Sequence, residues 1–340
     1  MTNKKWLIAI FVLLGSATLL YFLTKGKGET STLGWDRKFK IENRDDIQKI
    51  FIAQRNGETT TLERSGNHWN VDGSTSKASP NAVENLLEAI TMVELKYVPP
   101  QTATDNIVKE LGARGIKVEI YNKKGEKMRA YYVGGTTPDA RGTYMILENA
   151  EQPMVMEIPT MEGQIRTRYE LKGDDWRDRS VFAYEPEDIQ AVSIEYPQQR
   201  NKSFRLNRDG QQFKITPFYE NTPPINTPII KANVETFLIG FESLVAESFS
   251  SSYEKKDSVR ATIPFSIITV KDNKGGERKA ALYPTYSIDT GTGERTTDIV
   301  ERYFADVDLK DWMVVQHRVF QKIFWPYQAF FEPGGEKVKN

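Results

Sequence analysis

The chain has 340 residues with 39% hydrophobic content, enough for two domains of ordinary size. Its 46 Lys and Arg are balanced by 46 Asp and Glu, so it lacks the basic excess of a protein that neutralises phosphates, which excludes nucleic acid as a main partner. Cysteine is absent and only two histidines occur, His68 and His317; this excludes disulfides, thiolate zinc sites, a cysteine nucleophile and a lipidated N-terminal cysteine, and leaves few groups for metal ligation or acid–base work.

At the N-terminus, Lys4 and Lys5 precede an uncharged apolar run over residues 6–23, opened by Trp6 and ended by Leu23, and Lys25 and Lys27 follow it. As a helix, the 18 residues span about 27 Å, close to the hydrocarbon thickness of a bilayer. Trp6 and Tyr21 fall near the ends, where interfacial aromatics are favoured, and the run has no polar face of the kind a soluble helix shows. The expectation is a transmembrane signal-anchor over residues 1–24. The alternative is a signal peptide cut at Gly15-Ser16-Ala17, against which the apolar run continues past that point. Lysines flank both sides, so charge does not orient the segment; the short N-terminal tail favours a cytoplasmic N-terminus with the body exported. Residues 25–37, rich in Gly, Ser and Thr, read as a tether.

Beyond the tether the chain repeats itself. Asp46-Ile47-Gln48 recurs as Asp188-Ile189-Gln190. Leu62, Arg64, Gly66, Trp69 and Val71 recur as Leu206, Arg208, Gly210, Phe213 and Ile215, all at an offset of 144. Alternation into a glycine turn and out again predicts a β-hairpin in each half. A helix follows in each. Ser79 reads as its N-cap and Pro80 as its first residue, with Val83, Leu86, Leu87, Ile90 and Val93 along one face. Thr227 and Pro228 take the same roles ahead of Val234, Phe237, Leu238, Phe241 and Leu244, at an offset of 151. Second hairpins turn at Lys124-Gly125 and near Gly275-Gly276, then strand-like runs at 153–159 and 311–317 lead into short amphipathic runs at 161–169 and 319–324. These patterns predict an α+β fold: an N-terminal transmembrane helix, then two tandem duplicated units with antiparallel sheets, unit 1 over 38–184 and unit 2 over 185–332, and a polar tail at 333–340.

Three segments invite a functional reading. Gly173–Ser180 concentrates Asp174, Asp175 and Asp178 with Trp176, Arg177 and Arg179. Paired carboxylates bind cations or cleave glycosides, but the spacing matches no calcium loop; the preferred reading is a connector between units, Trp176 packing and the arginines pairing with acids. The Gly-x-Gly within residues 289–298 lacks the Lys-Ser/Thr and the strand–helix context of a phosphate loop and reads as a plain loop. The aromatic run at 319–333, with Phe320, Phe324, Trp325, Tyr327, Phe330 and Phe331, is either core of unit 2 or an apolar partner-binding patch. No catalytic, cofactor-binding or metal-ligating residue is assigned.

With Gly66, Trp69 and Val71, the helix opened by Ser79, and Trp176 to Phe182 in place, the chain resembles a bacterial family of tandem domains of unknown function whose members are described as auxiliary components of gliding-motility-type ABC transport systems. It departs from that pattern at Glu110-Leu111-Gly112-Ala113, where members show a Tyr-Gly-Leu-x-x-Pro-like turn. The resemblance implies a non-catalytic accessory or scaffold protein at the cytoplasmic membrane, its body extracytoplasmic, with protein partners in a transport complex. A cell-envelope polymer-binding module with a groove between the units is the alternative, and a carboxylate-dependent hydrolase a third reading.

Overall fold

Ile50 and Ile52 alternate with Lys49, Phe51 and Ala53, and the chain forms strand β1 (Lys49–Ala53) with both isoleucines buried. The same alternation recurs within Ile116–Tyr121 and Ile189–Glu195 of a computed structural model that describes residues 39–73, 76–161, 164–286, 295–332 and 338. β1 is followed by β2 (Thr59–Ser65), β3 (His68–Val71), helix α1 (Pro80–Thr91), β4 (Glu94–Tyr97), α2 (Gln101–Arg114), β5 (Ile116–Tyr121), β6 (Lys127–Thr136), β7 (Thr143–Leu147) and β8 (Met154–Glu157). All eight strands join one antiparallel sheet in the order β3-β2-β1-β5-β6-β7-β8-β4.

The later part contains β9 (Ser180–Phe182), β10 (Ile189–Glu195), β11 (Phe204–Asp209), β12 (Gln212–Pro217), α3 (Lys231–Ile239), β13 (Leu244–Val245), β14 (Ser248–Phe249), α4 (Lys256–Arg260), β15 (Ser266–Asp272), β16 (Glu277–Thr285), β17 (Arg302–Val307), β18 (Asp311–Gln316) and α5 (His317–Phe320). Its main sheet runs β12-β11-β10-β15-β16-β17-β18-β14, the strand order of the first sheet, and β9 pairs with β13 apart from it. The fold is α+β with two large antiparallel sheets. The predicted N-terminal helix and tether, Trp6 and Leu23 included, lie outside the described residues, as do residues 289–294 of the predicted Gly-x-Gly loop.

The sequence echo appears as matching register. Leu62 faces Val71 and Arg64 faces Trp69 across β2–β3; Leu206 faces Ile215 and Arg208 faces Phe213 across β11–β12. Gly66 and Gly210 close both turns at the same φ of +59°, a left-handed conformation that glycine adopts without a Cβ clash.

The helices show where the repeats part. Ser79 caps α1, accepting from the Ala82 N–H, with Pro80 at the first position, and Val83, Leu86, Leu87 and Ile90 are buried. The expected cap at Thr227 is not formed. α3 begins at Lys231 after Ile230, with no side-chain cap, because its start pairs elsewhere: the N–H of Ile230, just before it, donates to the Phe330 carbonyl at 2.8 Å, and the side-chain amide of Asn233, in its first turn, to that of Ala329 at 2.8 Å. On the face opposite the core, α2 seats Leu111 against Gly134 of β6, where an added Cβ would meet Leu111 Cδ2 at 2.7 Å. The second sheet is covered there by the shorter α4: Arg260 grips Asp306 and lies over Trp312, and Tyr253 packs on Phe304 at 4.6 Å.

The chain divides into two compact units, the first ending at Gly173 and the second beginning at Asp174. The expected boundary at residue 184 moves upstream because Val181 and Phe182 are buried in the second core, where Phe182 meets Phe241 edge-on at 5.6 Å, and β9 pairs with β13.

Candidate functional site

The acidic segment is the first place to look for chemistry. Gly173, at a φ of +46°, opens a single 3-10 turn, Gly173–Trp176, that turns Trp176 fully into the protein. Arg177 then reaches two carboxylates. Its Nη1 donates to Asp174 at 2.9 Å, its Nη2 to Asp311 at 2.5 Å, and its guanidinium lies 4.1 Å from the centre of the Phe249 ring. The second oxygen of Asp174 accepts from Ser251 Oγ at 2.6 Å. Asp178 points the other way, accepting from the backbone N–H and hydroxyl of Ser180 at 2.9 and 2.7 Å. Arg179 donates to the Glu247 carbonyl, and Asp175 is exposed.

Burial alone would raise the Asp174 carboxyl, but the hydrogen bonds from Ser251 and Arg177 outweigh it and hold it below its ordinary value. The three acids therefore share no site. A carboxylate pair facing across a cleft, as glycoside cleavage requires, is not formed from them. Among the described residues no three His, Cys, Asp or Glu side chains are placed to hold a metal ion. The segment follows directly on the boundary between the units: Asp174 to Arg179 open the second unit and tie its start to β14 and β18.

The aromatic run is core, not a docking patch. Phe320, Phe324, Tyr327 and Phe330 are all buried, and Trp325 and Phe331 pack partly buried against the same cluster. The Phe330 ring lies 4.8 Å from Phe204 and 5.2 Å from Phe237, and Phe324 lies 5.0 Å from Phe265. Short 3-10 turns at Gln321–Ile323 and Tyr327–Phe330 let nearly every ring face inward, which a continuous helix would not.

His68 is exposed at the start of β3. His317 places Nδ1 2.9 Å from the Tyr303 hydroxyl and stacks along that ring, and burial lowers its pKa. A cavity of 350 Å³ beside it is lined by Val300, Arg302, Gln316 and Arg318 among others. Tyr303 is a partner that spacing along the chain did not indicate; β17 and β18 bring the pair together. Arg302 is engaged by Glu247 at 2.7 Å, and among the described residues no hydroxyl other than that of the tyrosine is bonded to the imidazole. Two larger hollows lie in the second unit. One, of 510 Å³, sits between α3 and the β11–β12 hairpin, with Arg208, Phe213, Lys231 and Ile239 on its walls. The other is a trough of 390 Å³ over β10, β11 and β15.

The family model described as "Domain of unknown function (DUF4340)" matches residues 69–262, from β3 through α4 and thus across parts of both units. No curated protein and no solved structure matches the chain. With more than half of its length matched, the chain belongs to the DUF4340 family.

Proposed function

We propose that this DUF4340 member is a non-catalytic accessory protein of a membrane complex. The apolar run from Trp6 to Leu23 holds it in the bacterial cytoplasmic membrane, and both units stand on the extracytoplasmic side. The observation that carries this reading is that run, 18 residues between lysine pairs, set ahead of two units with the same strand order. What the units share is turn glycines and packing residues, not reactive groups. Among the described residues no helix is long and apolar enough to cross a membrane, so the reading rests on residues 6–23. The divergence of Asp174, Asp175 and Asp178 weighs against a hydrolase.

For the complex, the resemblance to auxiliary components of gliding-motility-type ABC systems favours a transporter, and the partners are its membrane subunits. Affinity purification of the full chain from detergent-solubilised membranes tests this. Stoichiometric recovery of a permease and its ATPase is the expected result. Recovery of the chain in the soluble fraction, or from membranes with no membrane protein bound, would overturn it.

A further inference from the structure

The two units provide an internal comparison on the sheet face opposite each core. In unit 1, cross-strand neighbours there are Glu63–Lys49–Tyr121 in one row and Thr61–Phe51–Glu119 in the next. In unit 2 the same rows read Asn207–Ala191–Lys271 and Arg205–Ser193–Thr269. The unit 1 rows fill and satisfy themselves. Lys49 pairs with Glu63 at 3.2 Å and lies near the Tyr121 ring, Tyr121 donates to Glu119 at 2.5 Å, and Glu119 pairs with Lys117 at 2.8 Å. In unit 2 the central lysine and phenylalanine are replaced by a methyl and a hydroxymethyl group. The result is the 390 Å³ trough, its floor at Ala191 and Ser193, walled by Arg205 and Asn207 on one side and Thr269 and Lys271 on the other. The side chains of Ser193, Asn207 and Thr269 have no hydrogen-bond partner among the described residues.

We propose that this trough binds one extended strand of an acidic polysaccharide. Its walls are strands two positions apart in the sheet, about 10 Å across at the usual strand spacing, which admits a single chain. Arg205, Lys271 and Lys279, which faces Thr269, confront one carboxylate, Glu277, already paired with Lys271 at 2.8 Å. A further carboxylate at the end of the trough, Glu195, accepts from Tyr219. The charge balance thus favours an anion, and the planar Arg205 guanidinium, laid on the Phe218 ring at 4.0 Å with Nη1 donating to the Phe218 carbonyl at 2.6 Å, keeps its remaining N–H donors for a carboxylate. The free hydroxyl and amide groups favour a ligand rich in hydroxyls. An extended peptide is disfavoured, because a sheet face offers no free backbone N–H or C=O to pair with its main chain. This site does not depend on the membrane-complex reading, and purification of partners tests that reading separately.

The test measures binding of a galacturonate hexamer to the full chain in detergent micelles by titration calorimetry. A neutral maltohexaose and a hexaglutamate peptide serve as comparisons. Ser193→Phe and Ala191→Lys place in the trough the residues that the same sheet positions carry in unit 1, so both should leave thermal unfolding unchanged. Each should weaken galacturonate binding at least tenfold, Phe51→Ser should not, and maltohexaose should bind at least tenfold more weakly. Absence of saturable galacturonate binding up to about 10 mM would overturn the proposal. So would binding that both floor variants leave intact, or hexaglutamate binding as well as galacturonate.

Discussion

Replacing Arg177 with alanine tests whether the acidic segment is a structural clamp. The arginine side chain is 16% exposed, Asp311 19% and Asp174 39%. Loss of the charged hydrogen bond to Asp311, which is largely shielded, costs about 2 kcal/mol. The contact with Asp174, more than a third exposed and screened by water, is worth about 0.5 kcal/mol. Removal of the guanidinium from the Phe249 face adds about 0.5 kcal/mol. The total is about 3 kcal/mol, which at a urea slope of roughly 2 kcal/mol/M moves the midpoint of the second unit down by about 1.5 M. Hydrogen exchange read on peptides from β14 and β18 separates this from the first unit. Arg177→Lys should recover less than half of the loss, since an ammonium cannot fork to two carboxylates while lying on a ring. A shift under about 0.3 M, or full recovery by lysine, would refute the clamp.

Three further outcomes follow from the same geometry. Ser79→Ala should destabilise the first unit by about 0.5–1 kcal/mol, whereas Thr227→Ala should cost less than about 0.5 kcal/mol because it caps nothing; equal losses in urea unfolding would contradict the placement of α3. Phe330→Ala should cost about 3–5 kcal/mol through the cavity it leaves, and a stable variant with altered partner binding would instead restore the docking reading. His317 gives the pH dependence: burial holds it below its ordinary 6.5, so the unfolded chain takes up its proton first. Its contribution is whole above pH 6.5 and is lost as pH falls through the lower folded value. Thermal unfolding should therefore weaken between pH 6.5 and 5 in the native chain and less so in His317→Gln; parallel curves would dismiss the effect.

The hairpins were legible because their signals are local. Alternation and a turn glycine within ten residues specify β2–β3 and β11–β12 down to their cross-strand pairs. The start of α3 was not legible, since Thr227-Pro228 is a sound local cap and only the pairing of Ile230 with Phe330, 100 residues away, displaces it. Strands β7 and β17 carry no turn signal as clear as those of the hairpins, and they are specified by the neighbours on either side. The segment from Asp174 to Arg179 carried the right interactions in sequence, a packed Trp176 and paired arginines, but not their destination. Its partner Asp311 is supplied by a strand 134 positions on, and no local pattern announces that.

A duplicated fold sorts its residues by what each copy can change. Positions that set the sheet, such as Leu62 with Val71 and Leu206 with Ile215, keep their character in both units because a register slip would turn every buried side chain outward. Positions on the opposite face are released from that constraint, and it is there that Lys49 and Phe51 stand against Ala191 and Ser193. If both copies served only as spacers, that face would be free to drift without direction, and self-satisfied rows like those of unit 1 would be as serviceable in unit 2. Instead the unit 2 rows combine a lowered floor, unpaired hydroxyl and amide groups and a surplus of cations in one place. Drift of one residue at a time seldom produces all three together. A site that differs between the copies is therefore a better guide to what this protein contacts than the acidic segment, whose residues are already committed to holding the second unit together.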